Sequence, residues 1–440
     1  MFYILESEGH LNGLRQYFEK ETFIEVIPGN YNYHPKLTHT TAVFLKPEGS
    51  KGFIIPVNHE EGLNVDKTRV YEVLKQFSKL YCIDRKNLLY HFNLHNSNDV
   101  SLLYSMVEYD RIDLPGFTST INYFYSKYDD KKDINNMIPL SKLYEYNQKL
   151  YSHIEKYLSY DKPKGFDFYN GTATNVFYLL EQAGLGIYYN AFNEVFKPVN
   201  PLYNSEDTKV LTYYNLYNAT SRPTNAYNSV NFAAIPKSEK HRKCFKPQND
   251  KFIEFDFDGY HLRLLCNEIN FELNEDSAHK QVARLLFEKE EITDEEYSKA
   301  KEINFHALYG KIPKKHKNLE IFKKIQEYID SLWSQYQGLG VVFNPISEKP
   351  FTENLKRMNP AKLMNYLMQS LETSRNILIL KEVLRFLKDK KTNVCLYTYD
   401  SLLFDYSKED GKELLSELEN ILSENGKYPV RFKYSNNLVL

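Results

Sequence analysis

Apolar residues alternate or cluster in short runs along the first part of the chain. Phe2-Tyr3-Ile4-Leu5, Phe23-Ile24-Glu25-Val26-Ile27, Thr41-Ala42-Val43-Phe44-Leu45 and Gly52-Phe53-Ile54-Ile55-Pro56-Val57 read as strands. Val70 to Tyr81 reads as a helix packing on them, so residues 1 to about 118 are expected to form an α/β layer with its own core. From about 119 to 215 the pattern turns helical, most clearly over Leu140 to Tyr160 and Thr172 to Ala183, with the basic loop Asp161-Lys162-Pro163-Lys164-Gly165 between them. Two later segments differ from the rest. Ile253-Glu254-Phe255-Asp256-Phe257-Asp258 is an apolar run that reaches Asp256 and continues into a helix-like stretch. Leu396-Tyr397-Thr398-Tyr399-Asp400-Ser401-Leu402-Leu403-Phe404 has Asp-Ser between two alternating runs and reads as a tight hairpin. Val430 to Tyr434 is again strand-like.

Two carboxylates at the ends of neighbouring strands can share a pair of Mg²⁺ ions, which clamp the attacking and leaving oxygens of a phosphoryl transfer. An Asp at a strand end, taken alone, is usually a turn or cap residue. The segment between the two adds weight. Ala300 to Gly310 reads as a helix ending at a glycine. Lys301, Phe305 and Tyr309 are spaced four apart, and at ~100° per residue they drift only ~40° per step, so they share one face. A cation followed by two aromatics suits a nucleoside triphosphate, with charge for the phosphates and flat surface for sugar and base. An ordinary amphipathic helix with a snorkelling Lys would have the same spacing.

The order Asp256, then Lys301…Phe305…Tyr309-Gly310, then Asp400 resembles motifs A, B and C of family-A DNA polymerases. Thr220-Ser221-Arg222-Pro223-Thr224 resembles the family's T-G-R-x-S stretch, and Asn231-Phe232-Ala233-Ala234-Ile235-Pro236 its N-L-Q-N-I-P. Arg242-Lys243-Cys244-Phe245 resembles the R-x-x-F before motif A, and Asn365-Tyr366-Leu367-Met368-Gln369 the N-x-x-x-Q helix before motif C. The resemblance covers roughly residues 205 to 440, in order.

It implies a DNA-directed DNA polymerase, a nucleotidyltransferase acting on primer–template DNA and dNTPs. Asp256 and Asp400 would hold two Mg²⁺ ions, for which Mn²⁺ substitutes, with the Phe257 carbonyl as a further ligand. Lys301 would neutralise the triphosphate and protonate the leaving pyrophosphate. His279, Phe305, Tyr309 and Arg242 would contact the incoming nucleotide, and His261 would screen its sugar. Arg222, Asn231, Asn365, Gln369 and Tyr399 would contact the DNA. Minor-groove donors fit this duty, because every correct pair offers acceptors at equivalent places there. The sequence also departs from the family. Tyr297 stands where an Arg for the γ-phosphate is usual, with Lys299 nearby. Ser401 replaces an accessory Glu, and His261 replaces the Glu of motif A.

The implied fold is an α+β and α/β multidomain one: a right-hand polymerase of palm, thumb and fingers behind an RNase H-like, exonuclease-like α/β domain. The boundaries are 1–118 for a degenerate exonuclease-like domain and 119–215 for a reduced thumb. Residues 216–265 and 346–440 are the palm, and 266–345 the fingers. In the first domain Val26-Ile27-Pro28 stands where an Asp-x-Glu metal site belongs, and Leu88 to Asp99 offers only Asp99, so proofreading is expected to be absent. Small size and absent proofreading suggest phage, plasmid or organelle replication or repair, by analogy. Two alternatives remain: a catalytically dead nucleic-acid-binding scaffold derived from a polymerase, and a polymerase with relaxed sugar or template choice.

Composition adds boundaries. At 440 residues the chain suits two or three subdomains. A net charge of −2 gives no bulk support for nucleic-acid binding. The local runs Lys237–Lys246 and Lys311–Lys324 do, because they flank the motifs. With 37 Tyr and 28 Phe, some aromatics can stack on unpaired bases while most must be core. Cys82, Cys244, Cys266 and Cys395 show no metal spacing and read as reduced apolar fillers in a cytoplasmic protein. Neither a secretory signal nor a membrane span is apparent.

Overall fold

The computed structural model describes residues 3–128, 131–196, 203–204, 209–225, 230–236, 238–274, 277–308 and 312–440. The chain divides into two compact units. The first comprises Met1–Tyr178, Val199–Tyr217 and Asn225–Ser229, and the second Leu179–Pro198, Asn218–Thr224 and Val230–Leu440.

The first unit is built on a six-stranded sheet. Its strands are β1 (Tyr3–Ile4), β2 (Thr22–Pro28), β3 (Thr40–Pro47), β4 (Phe53–Pro56), β5 (Leu80–Cys82) and β6 (Ser97–Asp99), in the order β1-β4-β3-β2-β5-β6. β2, β3 and β4 are antiparallel neighbours, whereas β5 runs parallel to β2 and β6 parallel to β5. β2 is buried along its whole length, as a sheet covered on both faces requires. Ile24, Val26, Val43 and Leu45 pack with Val70 and Leu74 of α1 (Lys67–Leu74) on one face. Helix α2 (Arg85–Phe92) follows β5. Phe23, Ile27, Phe44 and Ile54 form the second face, against α3 (Val100–Glu108), α4 (Ser119–Tyr128) and α5 (Leu140–Leu158).

Two expectations are corrected here. The helix expected over Val70 to Tyr81 ends at Leu74, and Leu80–Cys82 is a parallel strand beside β2. Buried Phe77 and Leu80 continue the apolar spacing past the helix end, so periodicity alone merges the two elements. The boundary at 118 is not a division either. Ile121, Leu143, Leu150 and Ile154 complete the core of the same sheet, and residues 119–178 belong to the first unit, so 119–215 is not a compact unit of its own.

The second unit carries a four-stranded antiparallel sheet of β7 (Lys251–Phe257), β8 (Asn393–Tyr397), β9 (Ser401–Tyr406) and β10 (Val430–Ser435), ordered β8-β9-β7-β10. Strand alternation sorts β7 cleanly. Ile253, Phe255 and Phe257 are buried, and Phe255 meets buried Phe404 edge-on and exposed Phe432 tilted, with ring centroids 5.6 Å apart in both pairs. Glu254 and Asp256 face the other way. The helices that bear on the site are α6 (Tyr260–Glu268), α7 (Ala278–Phe287), α8 (Asp294–Leu308), α9 (Glu320–Leu339) and the long α10 (Pro360–Phe386). Asn359 caps α10 by accepting from the Lys362 N–H, with Pro360 at the first helical position.

Strand β7 turns into α6 at Gly259, whose φ is +56°. A Cβ there would stand 2.9 Å from the Ala278 Cβ at the start of α7, so both the backbone conformation and the close approach require glycine. All four cysteines are buried and unpaired. Among the described residues, no helix is long and apolar enough to cross a membrane.

Candidate functional site

The sheet register brings the two predicted aspartates together. Asp256 lies opposite Ser401, and the Phe257 N–H donates to the Asp400 carbonyl at 3.0 Å. The turn between β8 and β9 is fixed from several sides. The Thr398 N–H donates to the Ser401 carbonyl at 3.0 Å, and the two hydroxyls are 2.6 Å apart. Tyr399 takes a left-handed φ of +67°. Its carbonyl accepts at 2.6 Å from Asn376 Nδ2 of α10, which also donates to the Tyr397 hydroxyl at 3.1 Å. Asn376 Oδ1 in turn accepts from the Tyr260 hydroxyl at 2.7 Å. One buried amide therefore holds α6, β8 and the Asp400 turn. Sequence reasoning missed it, because an Asn inside a long helix has no local signature.

Burial, then Asp400 and Glu254, push the Asp256 carboxyl up to about 6, with Lys433 pulling the other way. Asp400 is likewise raised, by burial and then by Glu372. Clustered carboxylates that resist ionisation are relieved by a bound cation. Among the described residues, no group of three or more His, Cys, Asp or Glu side chains is arranged to hold a metal alone. Two carboxylates fit Mg²⁺ all the same, since this ion is usually held by one or two carboxylates, with the remaining ligands from water and substrate phosphates.

The aspartates open into a pocket of about 430 Å³. Tyr297, Lys301, Phe305 and Leu308 line it from α8, so the four-residue spacing read from the sequence is the pocket-facing stripe, extended one turn toward the N-terminus. Phe305 is 56% exposed, a ring standing in the open pocket rather than in the core. Lys299 is exposed and is not among the lining residues. Tyr309 and Gly310 lie outside the described residues. His279, in the first turn of α7, lines the pocket with its Nδ1 3.1 Å from Asn304 Nδ2. Burial lowers its pKa to about 4, so it is a neutral imidazole at neutral pH.

His261 and Arg222 also line the pocket, and both meet a carboxylate that sequence reasoning missed. Glu372 of α10 is buried, with Oε1 3.1 Å from His261 Nε2 and Oε2 2.8 Å from an Arg222 nitrogen. The Arg222 guanidinium lies 3.8 Å over the Tyr399 ring. The loop carrying Arg222 is clipped from below by buried Lys349, whose Nζ donates to the Asn218 carbonyl at 3.2 Å and to the Ser221 hydroxyl. Burial lowers the Lys349 pKa to about 7.

The remaining predicted residues are spread more widely. Asn365 and Gln369 are hydrogen-bonded to each other at 2.9 Å on α10. Asn231 is exposed before a single 3₁₀ turn, Phe232–Ala234. None of the three lines the pocket. Nor does Arg242, whose backbone and side chain bind Leu438. In the basic runs, Lys243 pairs with Glu239 and Lys324 with Glu320, so part of their charge is locally balanced.

No family model matches the sequence, and no curated protein matches it. A solved structure does. The POL domain of Pol1 from M. smegmatis, in complex with a DNA primer-template and dNTP, aligns with a TM-score of 0.66 and 13% identity, over 100% of this chain and 99% of that one. This chain has the fold of that polymerase domain. Mixed α/β architecture in several domains, as expected from the sequence, is what the polymerase fold requires.

The first unit of this polymerase fold holds a second acidic cluster that sequence reasoning also missed. Glu25, one residue ahead of Val26-Ile27-Pro28, is buried on β2, and Asp84 and Asp99 are its carboxylate neighbours. Asp84 caps α2 and accepts from the Tyr213 hydroxyl at 2.7 Å. Asp99 accepts from the Leu102 N–H at 2.8 Å, the Arg85 N–H at 3.0 Å and the Tyr217 hydroxyl at 2.8 Å. Burial and then these neighbours raise Glu25 from 4.5 to about 8. A carboxyl raised in the folded state stabilises below its unfolded pKa, and that advantage is lost as pH rises toward the folded value. Glu25→Gln removes the titration. The variant should therefore gain stability over the parent between about pH 5 and about pH 8, by the order of a few kcal/mol. Denaturant midpoints measured across that window check this. Parallel curves for parent and variant would place Glu25 in water.

Proposed function

We propose that the chain is a template-directed DNA polymerase adding dNTPs to a primer 3′-hydroxyl. The observation that carries this is the convergence of Asp256, Asp400 and the Lys301–Phe305 stripe on one pocket, in a chain with a polymerase-domain fold. In this reading the sheet of the second unit is the palm, and α7, α8 and α9 are the fingers. Asp256 and Asp400 would hold two Mg²⁺ ions, with the Phe257 carbonyl completing the set. Bound there, the ions supply Lewis acidity and a clamp for the attacking and leaving oxygens. Lys301 holds the phosphates of the incoming nucleotide and offers a proton to the departing pyrophosphate. Phe305 presents its ring to sugar and base. Neutral His279, whose Nδ1 accepts from Asn304 Nδ2, has its Nε2–H to donate to phosphate without adding charge. Arg222, stacked on Tyr399, addresses the primer–template end.

The first unit is proposed to lack nuclease chemistry, because Asp84 and Asp99 are committed to helix caps and tyrosine hydroxyls. Retention of both aspartates and of Lys301 in the pocket favours an enzyme over a catalytically dead scaffold. Primer extension in Mg²⁺ with dNTPs tests the reading, and a 5′-labelled mismatched primer without dNTPs tests the nuclease. Absence of extension from a folded, DNA-binding protein leaves the scaffold as the answer.

His261 is proposed to screen the sugar of the nucleotide, held by Glu372. A 2′-hydroxyl both donates and accepts, so an imidazole discriminates against it less sharply than a carboxylate would. Removing the ring by His261→Ala should lower the dNTP-to-rNTP ratio of kcat/KM by about tenfold. An unchanged ratio moves the sugar screen elsewhere in the pocket.

A further inference from the structure

Strand β10 sets Arg431 directly opposite Asp256. Opposed residues of an antiparallel pair project from the same face, with Cβ atoms about 4.5–5.5 Å apart. Arg431 therefore rises beside the catalytic carboxylate, and it lines the same pocket with its side chain 60% exposed. Its guanidinium meets Asp258 Oδ2 at 2.8 Å. Asp258 is already compensated without it. Its Oδ1 accepts from the Ala278 N–H at 2.8 Å and lies 3.5 Å from the guanidinium of Arg263, which is itself buried. Arg431 is thus a second cation on a carboxylate that already has two other partners, and its own side chain stays mostly exposed at the pocket.

Among the described residues, the other cations that line the pocket are Lys301 and Arg222, and Arg222 is engaged by Glu372 and the Tyr399 ring. Tyr297, one turn before Lys301, brings a ring and no charge. A nucleoside triphosphate carries several negative charges, and a guanidinium fork matches phosphate oxygens in pairs.

We propose that Arg431 is a phosphate-binding residue of this pocket, gripping the terminal phosphates of the nucleotide, and the pyrophosphate formed from them, from the sheet side while Lys301 acts from α8. The proposal rests on the polymerase reading above. It places the missing charge on a strand of the palm instead of on the fingers helix.

Arg431→Gln and Arg431→Lys test it in primer extension at fixed primer–template, with inorganic pyrophosphate as inhibitor. Arg431→Gln should raise the KM for dNTP and the inhibition constant of pyrophosphate by about 10- to 100-fold. Primer–template Kd without nucleotide should stay put, and Arg431→Lys should recover part of the loss. Melting temperature should hold, because Arg263 still faces Asp258. Unchanged KM and unchanged pyrophosphate inhibition in Arg431→Gln overturn the proposal. So does a loss confined to primer–template binding, which would make Arg431 a backbone contact. A parent that extends no primer sinks the polymerase reading alone. Equilibrium dialysis of Mg²⁺–dNTP against parent and Arg431→Gln then decides the phosphate site, with weaker binding by the variant supporting it and equal binding overturning it.

Discussion

Asp256→Asn and Asp400→Asn should each reduce template-directed synthesis by about a thousandfold or more, while folding and duplex binding persist. Each amide keeps the shape of the side chain and loses the charge that divalent ions require. The fold should tolerate the change. Asp256 faces the pocket rather than the core, and the link between the two strand ends is made by the Phe257 N–H and the Asp400 carbonyl, which the substitutions leave alone. Removing a carboxyl that burial and Asp400 already push to about 6 also relieves repulsion, so a small gain in thermal stability should accompany the loss of activity. Extension rates, circular dichroism and primer–template affinity measured on the same preparations check all three parts. Either variant extending primers at more than a few per cent of the parent rate would falsify the assignment of these residues.

Lys301→Ala should raise the dNTP concentration needed for half-maximal extension and slow the chemical step. The combined loss in kcat/KM should be about 10- to 150-fold, the size of a charge-assisted contact. Primer–template affinity in the absence of nucleotide should change little, because in the proposed role the charge serves a triphosphate that is absent from the binary complex. Pre-steady-state extension separates the two components. If the substitution weakened only DNA binding, α8 would belong to the duplex track and Phe305 would need another role.

Much of the layout of the second unit was legible because its patterns are local. An apolar run ending at Asp256, a hairpin at Asp400 and a four-residue stripe through Lys301 are short-range patterns, and strand and helix periodicity place them without help from distant residues. What escaped was set by pairing across long separations. Arg431 sits in an ordinary-looking strand, and only the register reveals that it opposes Asp256. Glu372 and Asn376 occur in a 27-residue helix with buried positions on several sides, so no stripe marks them as facing a site. Glu25 was overlooked by one position on a strand where a shift of one changes the face. The strand Leu80–Cys82 was hidden because its apolar residues continue the rhythm of the preceding helix. The first unit's boundary failed for the same reason. Helical pattern shows that residues 140–158 form a helix, not which sheet it covers.

Gly259 has a bearing on how this pocket could be re-engineered. Its missing side chain lets the turn between β7 and α6 pack closely against the start of α7 at the wall of the pocket. Enlarging residue 259 cannot narrow the pocket gently. It must displace the helix carrying His279 and strain a left-handed backbone together. Trimming Ala278 to glycine instead removes the atom that a side chain at 259 would strike, so a redesign of this pocket wall starts on the helix and reaches the turn second.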